Sequence, residues 1–593
     1  MEPGQPVDAP GSSRRRRLKL PLVLSLVLAS LPAIARAQDV RGTDTQPSQQ
    51  PSQNEDSVNR AKALYDAGRW QELVDSFPEF ASNSPQLELY RGLAYAQLRG
   101  WTDAIAAFRF GLGRNPRDPR LLEELAGVEY KIRRFARAKR HLRQALALQP
   151  HDDYANDFLA SIYFQEGNLE AALKYWNRTD KPHLSDLSIH GAENLNSLVL
   201  DRAFDFSLGS EWTWDQLRTT QARLDALNEF SSMRFALTEQ SDGAFQLSVY
   251  SSLNDVRGSP WWQWLGSFAR GVPYQTVFPE FYNFDHAGMN WLSYYRWDDQ
   301  KHRIHSELTA PYRKNPAWQY RLYFDARNEN WNLARTLLPA APPMPAFLNL
   351  ETWSAGAELR AIPSGRWSWS EAIEFTDRRF RNILGFPASA STFLTGGPGV
   401  DGRFRVERAL VRFPERRFTL NGTATAEAGA FFVQPLGRYA RLTGDLQSTW
   451  FPQARGQDYQ MESRLRAGRT FGNVPFDDLL QLGFDRDNDL WMRGHPGLDH
   501  GQKGSSPLGR NYVLANWDVA KNVYSWSVAT IAIGPFVDTG KISDPSGDFG
   551  APKWLWDVGV QGRIRVFGNF EFVLGWGKDL RSGRNSFFSG VSP

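Results

Sequence analysis

Met492-Arg493-Gly494-His495 and Pro535-Phe536-Val537-Asp538-Thr539-Gly540 are the two short stretches around which this chain of 593 residues is organised. The first lies in a glycine-rich loop, and the second follows an alternating apolar run. The flanking pattern predicts strands over 478–484 and 511–520, which puts Arg493 on a long loop between them. It also predicts a strand over 526–537 that closes at Asp538, with Pro535 marking a bulge or strand end. A guanidinium enclosed by protein has little water to solvate it and needs a carboxylate in fixed geometry. Asp538 is the candidate partner of Arg493.

The region around these stretches, 254–593, holds 17 of the 22 tryptophans and no apolar segment long enough for a spanning helix. Its strand patterns have a period of two. In 319–327, Tyr320, Leu322, Phe324 and Ala326 alternate with Arg321, Tyr323, Asp325 and Arg327. In 560–566, Gln561, Arg563 and Arg565 alternate with Val560, Gly562, Ile564 and Val566, while Phe570, Phe572, Leu574 and Trp576 share one face of 570–576. A charged face opposite an aromatic one fits a lumen and a lipid surface, and a chain without spanning helices crosses a bilayer only as a closed barrel. At roughly 20 residues per strand and connection, the region holds about sixteen antiparallel strands.

Upstream, Arg14 to Arg17 and Lys19, the apolar run 20–34 and Ala35-Arg36-Ala37 read as a signal peptide, 1–37. Its six basic and two acidic residues account for the whole formal net charge of +4, leaving 63 residues of each sign downstream. Near-neutrality removes the electrostatic case for a nucleic-acid partner. The absence of cysteine excludes disulfides and thiolate metal sites. Residues 38–55, rich in Gln, Ser, Pro and Thr, read as a disordered tether.

Residues 56–182 carry a repeat. Trp70, Trp101, Phe135 and Leu169 stand 31, 34 and 34 apart; Ala104, Ala138 and Ala172 follow the last three, and Pro116 and Pro150 close two units. The pattern resembles the tetratricopeptide repeat (TPR), an α-helical solenoid whose concave face holds a partner. The four marker residues are taken as marking partner-binding repeats. Residues 183–253 then read as strand, helices, strand, strand. Thr213 and Gln216 cap a helix, and Ile189-x-Gly191 and Leu227-x-x-Phe230 are similar to a polypeptide-transport-associated (POTRA) domain.

The two opening stretches resemble the hallmark motifs of the bacterial surface antigen superfamily, which comprises outer-membrane assembly factors and two-partner secretion transporters. The resemblance runs from about His183 onward. It implies a barrel loop folded into the lumen, with Arg493 and Gly494 at its tip meeting Phe536, Asp538 and Gly540 of a wall strand. Met492 and His495 depart from the family's outer positions. Tyr282-Asn283-Phe284 and Thr309-Ala310-Pro311 look like the family's opening strands, and Phe588 is the aromatic nearest its terminal assembly signal.

The resulting expectation is a multidomain protein: TPR solenoid, small α/β POTRA-like domain and transmembrane barrel in the outer membrane, with the N-terminal domains in the periplasm. The resemblance implies capture of client polypeptides and their insertion into, or passage across, the membrane. Outer-membrane lipids and an accessory partner on the repeats complete the partners. A polysaccharide export porin and a surface receptor or adhesin are the alternatives. No catalytic residue, cofactor or metal is expected. Asp485, Asp487 and Asp489 begin like a calcium loop, but Leu490 and Pro496 stand where glycine and glutamate are needed. His302 and His305 lie in a strand pattern without a zinc-hydrolase partner.

Overall fold

Four helix pairs open the described chain: α1 (Pro51–Asp66) and α2 (Trp70–Ser76), α3 (Pro85–Gln97) and α4 (Trp101–Arg114), α5 (Pro119–Lys131) and α6 (Phe135–Leu148), α7 (Asp153–Gln165) and α8 (Leu169–Trp176). The computed structural model describes residues 51–78, 84–254, 268–338, 345–432, 437–526, 529–566 and 570–592. The signal peptide and most of the tether lie outside these residues, and Pro51 to Glu55, expected in the tether, instead open α1. Ser84, Asp118 and Asp152 each cap the first helix of a pair by accepting backbone N–H groups. Within each pair the turn passes through a left-handed residue, Gly68, Arg99, Arg133 or Gly167. Ala104, Ala138 and Ala172 are fully buried, which lets paired helices approach closely.

Trp70, Trp101, Phe135 and Leu169 are the first residues of the second helices and pack half-buried against the repeat cores. They build the repeats, each packing one side of its ring or chain against a repeat core. The small domain consists of β1 (Leu184–His190), α9 (Ser197–Ala203), α10 (Trp214–Ala226), β2 (Phe230–Glu239) and β3 (Phe245–Leu253). Its sheet has the order β1-β3-β2, with β1 parallel to β3. Thr213 and Gln216 form a reciprocal capping box at the start of α10. The expected border at 182/183 is not a break in packing. Trp176 meets Phe245 at 5.6 Å, and one apolar core runs from Ala126 through Trp212 to Val249.

The remainder is a closed antiparallel barrel. Its opening strand is in two short pieces, β4 (Thr276–Val277) and β5 (Glu280–Phe281). The wall continues through β6 (Asn290–Asp298), β7 (Lys301–Tyr312), β8 (Asn315–Asn332), β9 (Phe347–Ser364), β10 (Trp367–Leu384), β11 (Gly397–Phe413), β12 (Phe418–Phe431), β13 (Gly437–Trp450) and β14 (Tyr459–Gly472). Inside the next connection lie β15 (Leu480–Gln481), β16 (Leu498–Asp499), β17 (Gln502–Lys503) and β18 (Leu508–Gly509). The wall resumes with β19 (Asn511–Ser525), β20 (Ala529–Ser543), β21 (Leu555–Val566), β22 (Phe570–Asp579) and β23 (Asn585–Ser592), which closes on β4. Fourteen long strands and the divided opening strand thus make the wall, close to the sixteen expected.

Four local expectations are corrected. Since β14 pairs directly with β19, residues 478–484 are not a wall strand. Their Leu480 and Leu482 alternate because they pack with Met492, Leu514 and Ile542 in a cluster under the loop. Strand β20 runs through Asp538 to Ser543, so the aspartate sits in mid-strand, and Pro535 pairs with Val560 without a bulge. Tyr282-Asn283-Phe284 lies in the turn after β5, where Asn283 donates to the Asn194 carbonyl at 3.0 Å. Phe588 points inward against Phe484 and Phe536, and its neighbour Phe587 is 83% exposed.

The wall carries charge inside and apolar side chains outside. Along β8, Arg321 meets Glu358 and Asp325 meets Arg303 and His305, while Leu322 and Phe324 are exposed. His302 faces outward, unlike His305. Trp318, Trp367, Phe413, Trp450, Tyr524 and Trp526 are exposed near one rim, the aromatic belt of a lipid-embedded barrel. The repeats and small domain dock on this rim. Lys174 pairs with Glu415 at 2.6 Å, Tyr175 donates to the same carboxylate, and Arg412 pairs with Glu170. Asn168 donates to the Pro414 carbonyl, Arg218 to Gly365, Arg202 to Arg313 and Arg455 to Gln165.

Glu415→Lys sets two like charges against each other and leaves Tyr175 without its acceptor. Limited proteolysis of the inserted protein is expected to cut faster between 176 and 254 in this variant, with protection regained on adding Lys174→Glu.

Candidate functional site

The connection 473–510 folds into the lumen. Asn488 holds its bend by donating to the carbonyls of Gln481 at 2.8 Å and Gly483 at 2.7 Å. Met492 is fully buried in the apolar cluster with Leu482, Leu514 and Ile542, which accounts for an apolar residue before the arginine.

Arg493, 3% exposed, reaches three wall strands. Its backbone N–H and Nε both donate to Asp538 Oδ2 at 2.9 Å, and Nη2 donates to Asp538 Oδ1 at 2.5 Å. Nη1 donates to Asp518 Oδ1 at 2.5 Å and to Gln561 Oε1 at 2.9 Å. The Phe536 ring lies 3.8 Å from the guanidinium carbon, a desolvated cation–π contact. Asn516 adds a donor to Asp538 at 2.7 Å and fastens the loop two residues before Arg493 by donating to the Trp491 carbonyl at 2.9 Å. Nearly every donor of the buried cation is thereby satisfied, the condition under which such a charge is tolerated.

The next two residues extend the contact. Gly494 donates its N–H to Asp557 at 2.6 Å, and a Cβ there would come within 2.6 Å of the same carboxylate carbon. Gly540 is similarly confined: a Cβ would stand 3.0 Å from the Val513 carbonyl oxygen. His495 Nδ1 lies 2.9 Å from Asp557 and Nε2 lies 3.5 Å from Asp579.

These carboxylates form a row. Asn516 pairs across to Asp538, Asp538 to Asp557, and Asp557 to Asp579 on β19, β20, β21 and β22. Like charges directly opposite one another destabilise a sheet. The loop tip supplies the missing cations in the same spacing, Arg493 at Asp538 and His495 at Asp557 and Asp579. Burial disfavours a charged imidazole, but the hydrogen bond and charge of Asp557, with Asp579 behind it, outweigh burial and Arg581 and raise the His495 pKa above its ordinary value. The three side chains could share a metal ion. With both ring nitrogens already facing carboxylates, a proton is the occupant that fits.

Arg493, Gly494, Phe536 and Asp538 therefore come together, with Gly540 two residues along β20. Sequence reasoning missed Asn516, Asp518, Asp557, Gln561 and Asp579. Asn516, Asp518 and Gln561 lie on strand patterns that were legible, while Asp557 and Asp579 lie on extensions of β21 and β22 beyond them, and only the cross-strand register turns all five toward one tip.

The tetratricopeptide repeat family model matches residues 89–134 and 124–181. No curated protein sequence matches the chain. Among solved structures it is similar to BamA from Haemophilus ducreyi lacking POTRA domains 1–3, at 10% identity over 69% of this chain and 84% of that one, TM-score 0.38. It is also similar to CdiB from Acinetobacter baumannii, at 12% identity over 71% and 80% of the two chains, TM-score 0.43. CdiB from Escherichia coli aligns at 9% identity over 70% and 74%, TM-score 0.43.

Arg493→Ala or Asp538→Ala strands a buried charge, at a cost of about 3–5 kcal/mol, and is expected to lower the temperature at which the folded barrel unfolds on a gel. The reciprocal exchange, Arg493→Asp with Asp538→Arg, places a carboxylate toward Asp518 and is expected to recover little. Because His495 titrates above its ordinary value, its stabilising charge is complete below about pH 6.5 and is lost as pH rises through the folded-state value. Unfolding temperature measured against pH should fall above that point, and His495→Phe should flatten this part of the profile.

Proposed function

We propose that this chain is an outer-membrane barrel that takes up polypeptides in the periplasm and inserts them into, or passes them across, the outer membrane. The lumenal contact of Arg493 with Asp538 is the observation that carries the reading. It is the arrangement implied by the resemblance to the bacterial surface antigen superfamily, in which Arg493, Gly494, Phe536, Asp538 and Gly540 lock the loop to the wall. The proposed work of the lock is to keep the loop inside and the wall stiff while a client passes.

The N-terminal body supports the client side of the reading. In the small sheet β3 pairs on both sides, leaving an outer edge on β1 and another on β2. A sheet edge offers backbone donors and acceptors to any extended chain, whatever its side chains. The repeats next to it have the form that holds a protein partner. Uptake of this kind needs no catalytic residue. A sugar-exporting porin needs an open track through the lumen, which the loop 473–510 here crosses.

The test is a photo-crosslinking residue at Arg234 on β2, and another at Tyr154 on the repeats, in living cells. Mass spectrometry of the trapped species is expected to find polypeptide at Arg234. Glycan at that position would overturn the reading.

A further inference from the structure

The loop that carries Arg493 also holds Phe484-Asp485-Arg486-Asp487, which sits over the join between the first and last wall strands. That join is short. The eight-residue β23 closes on an opening strand made of two two-residue pieces. Phe484 packs on Phe588 of β23 with ring centroids 4.9 Å apart. The next three side chains reach the other margin. Asp485 pairs with Lys301 on β7 at 3.2 Å, and the Arg486 guanidinium lies 3.8 Å from the Tyr274 ring centre, just before β4. Asp487 pairs with Arg296 on β6 at 2.5 Å and with Arg303 on β7 at 2.7 Å. Both aspartate side chains are almost fully buried.

We propose that Phe484–Asp487 is a clasp that fastens the first strands of the barrel to the last across the join. The aspartate run that failed as a calcium loop is then a pair of anchors for wall cations. Lys503, farther along the loop, adds a third anchor by pairing with Glu329 on β8 at 3.0 Å. The clasp is tied to the loop tip through its backbone: Phe484 N–H donates to the His495 carbonyl and Gly497 N–H to the Phe484 carbonyl, each at 2.8 Å. One loop thus grips β19–β22 with Arg493 and His495 and β6–β8 with Asp485, Asp487 and Lys503, and the join lies between the two grips. Breaking the aspartate grip frees one margin while leaving Arg493 seated.

The inference rests on the membrane-barrel reading but not on any client, so its test uses none. The full chain carrying Gly590→Cys on β23, whose added Cβ would lie 4.0 Å from the Phe484 ring and leaves Phe588 in place, in a sequence without other cysteines, is inserted in liposomes and labelled with a water-soluble maleimide. Adding Asp485→Asn and Asp487→Asn is expected to speed labelling about tenfold or more, since each change removes a buried charge pair. Asp489→Asn, whose exposed side chain lies outside the clasp, should leave the rate unchanged. If the double variant does not insert, Arg486→Ala removes only the cation over Tyr274 and should speed labelling in the same direction. Inserted variants that label at the parent rate would overturn the clasp while leaving the polypeptide reading intact, and glycan at Arg234 would do the reverse.

Discussion

Arg493 cannot place its charge in water, and the wall opposite it cannot leave its carboxylates bare. The tip of the loop and the row Asp538, Asp557 and Asp579 are each unfavourable alone. Together they satisfy one another almost donor for acceptor, with the Phe536 face closing the remaining side. This mutual need fixes where the loop lies, and the loop's position decides what space is left in the lumen. It also explains the glycines at 494 and 540, since a side chain at either would separate surfaces that must touch.

Much of this was legible in the sequence because it is local. Period-two alternation marks strands such as β8, β21 and β22 within a few residues, and the spacing of 31 to 34 residues marks the helix pairs. The two motifs are short enough to be read on sight. The counter-charges were not legible, because Asp557 and Asp579 become neighbours of His495 only through strand register. The same holds for the clasp: Asp487 finds Arg296 and Arg303 from the far end of the barrel sequence. Residues 478–484 misled for a physical reason. A loop that must bury Leu480 and Leu482 against the wall alternates in the manner of a strand.

The N-terminal half shows a related point about borders. Composition and period change at residue 183, yet Trp176, Trp212 and Phe245 belong to one core. The repeats and the small sheet therefore share one core, which fixes the distance between the repeat face and the sheet edge.

That body sits off-centre. Its hydrogen bonds and ion pairs to the rim run from the turn after β5 round to the turn between β13 and β14, and among the described residues none reaches β19–β23. It is an awning over part of a doorway. Beneath the uncovered part opens a chamber of about 690 Å³ lined by Gln460, Glu462, Asn522, Thr530 and Arg563. At this rim the barrel is open on one flank, the flank whose wall grips the loop tip, and the opposite flank is shaded.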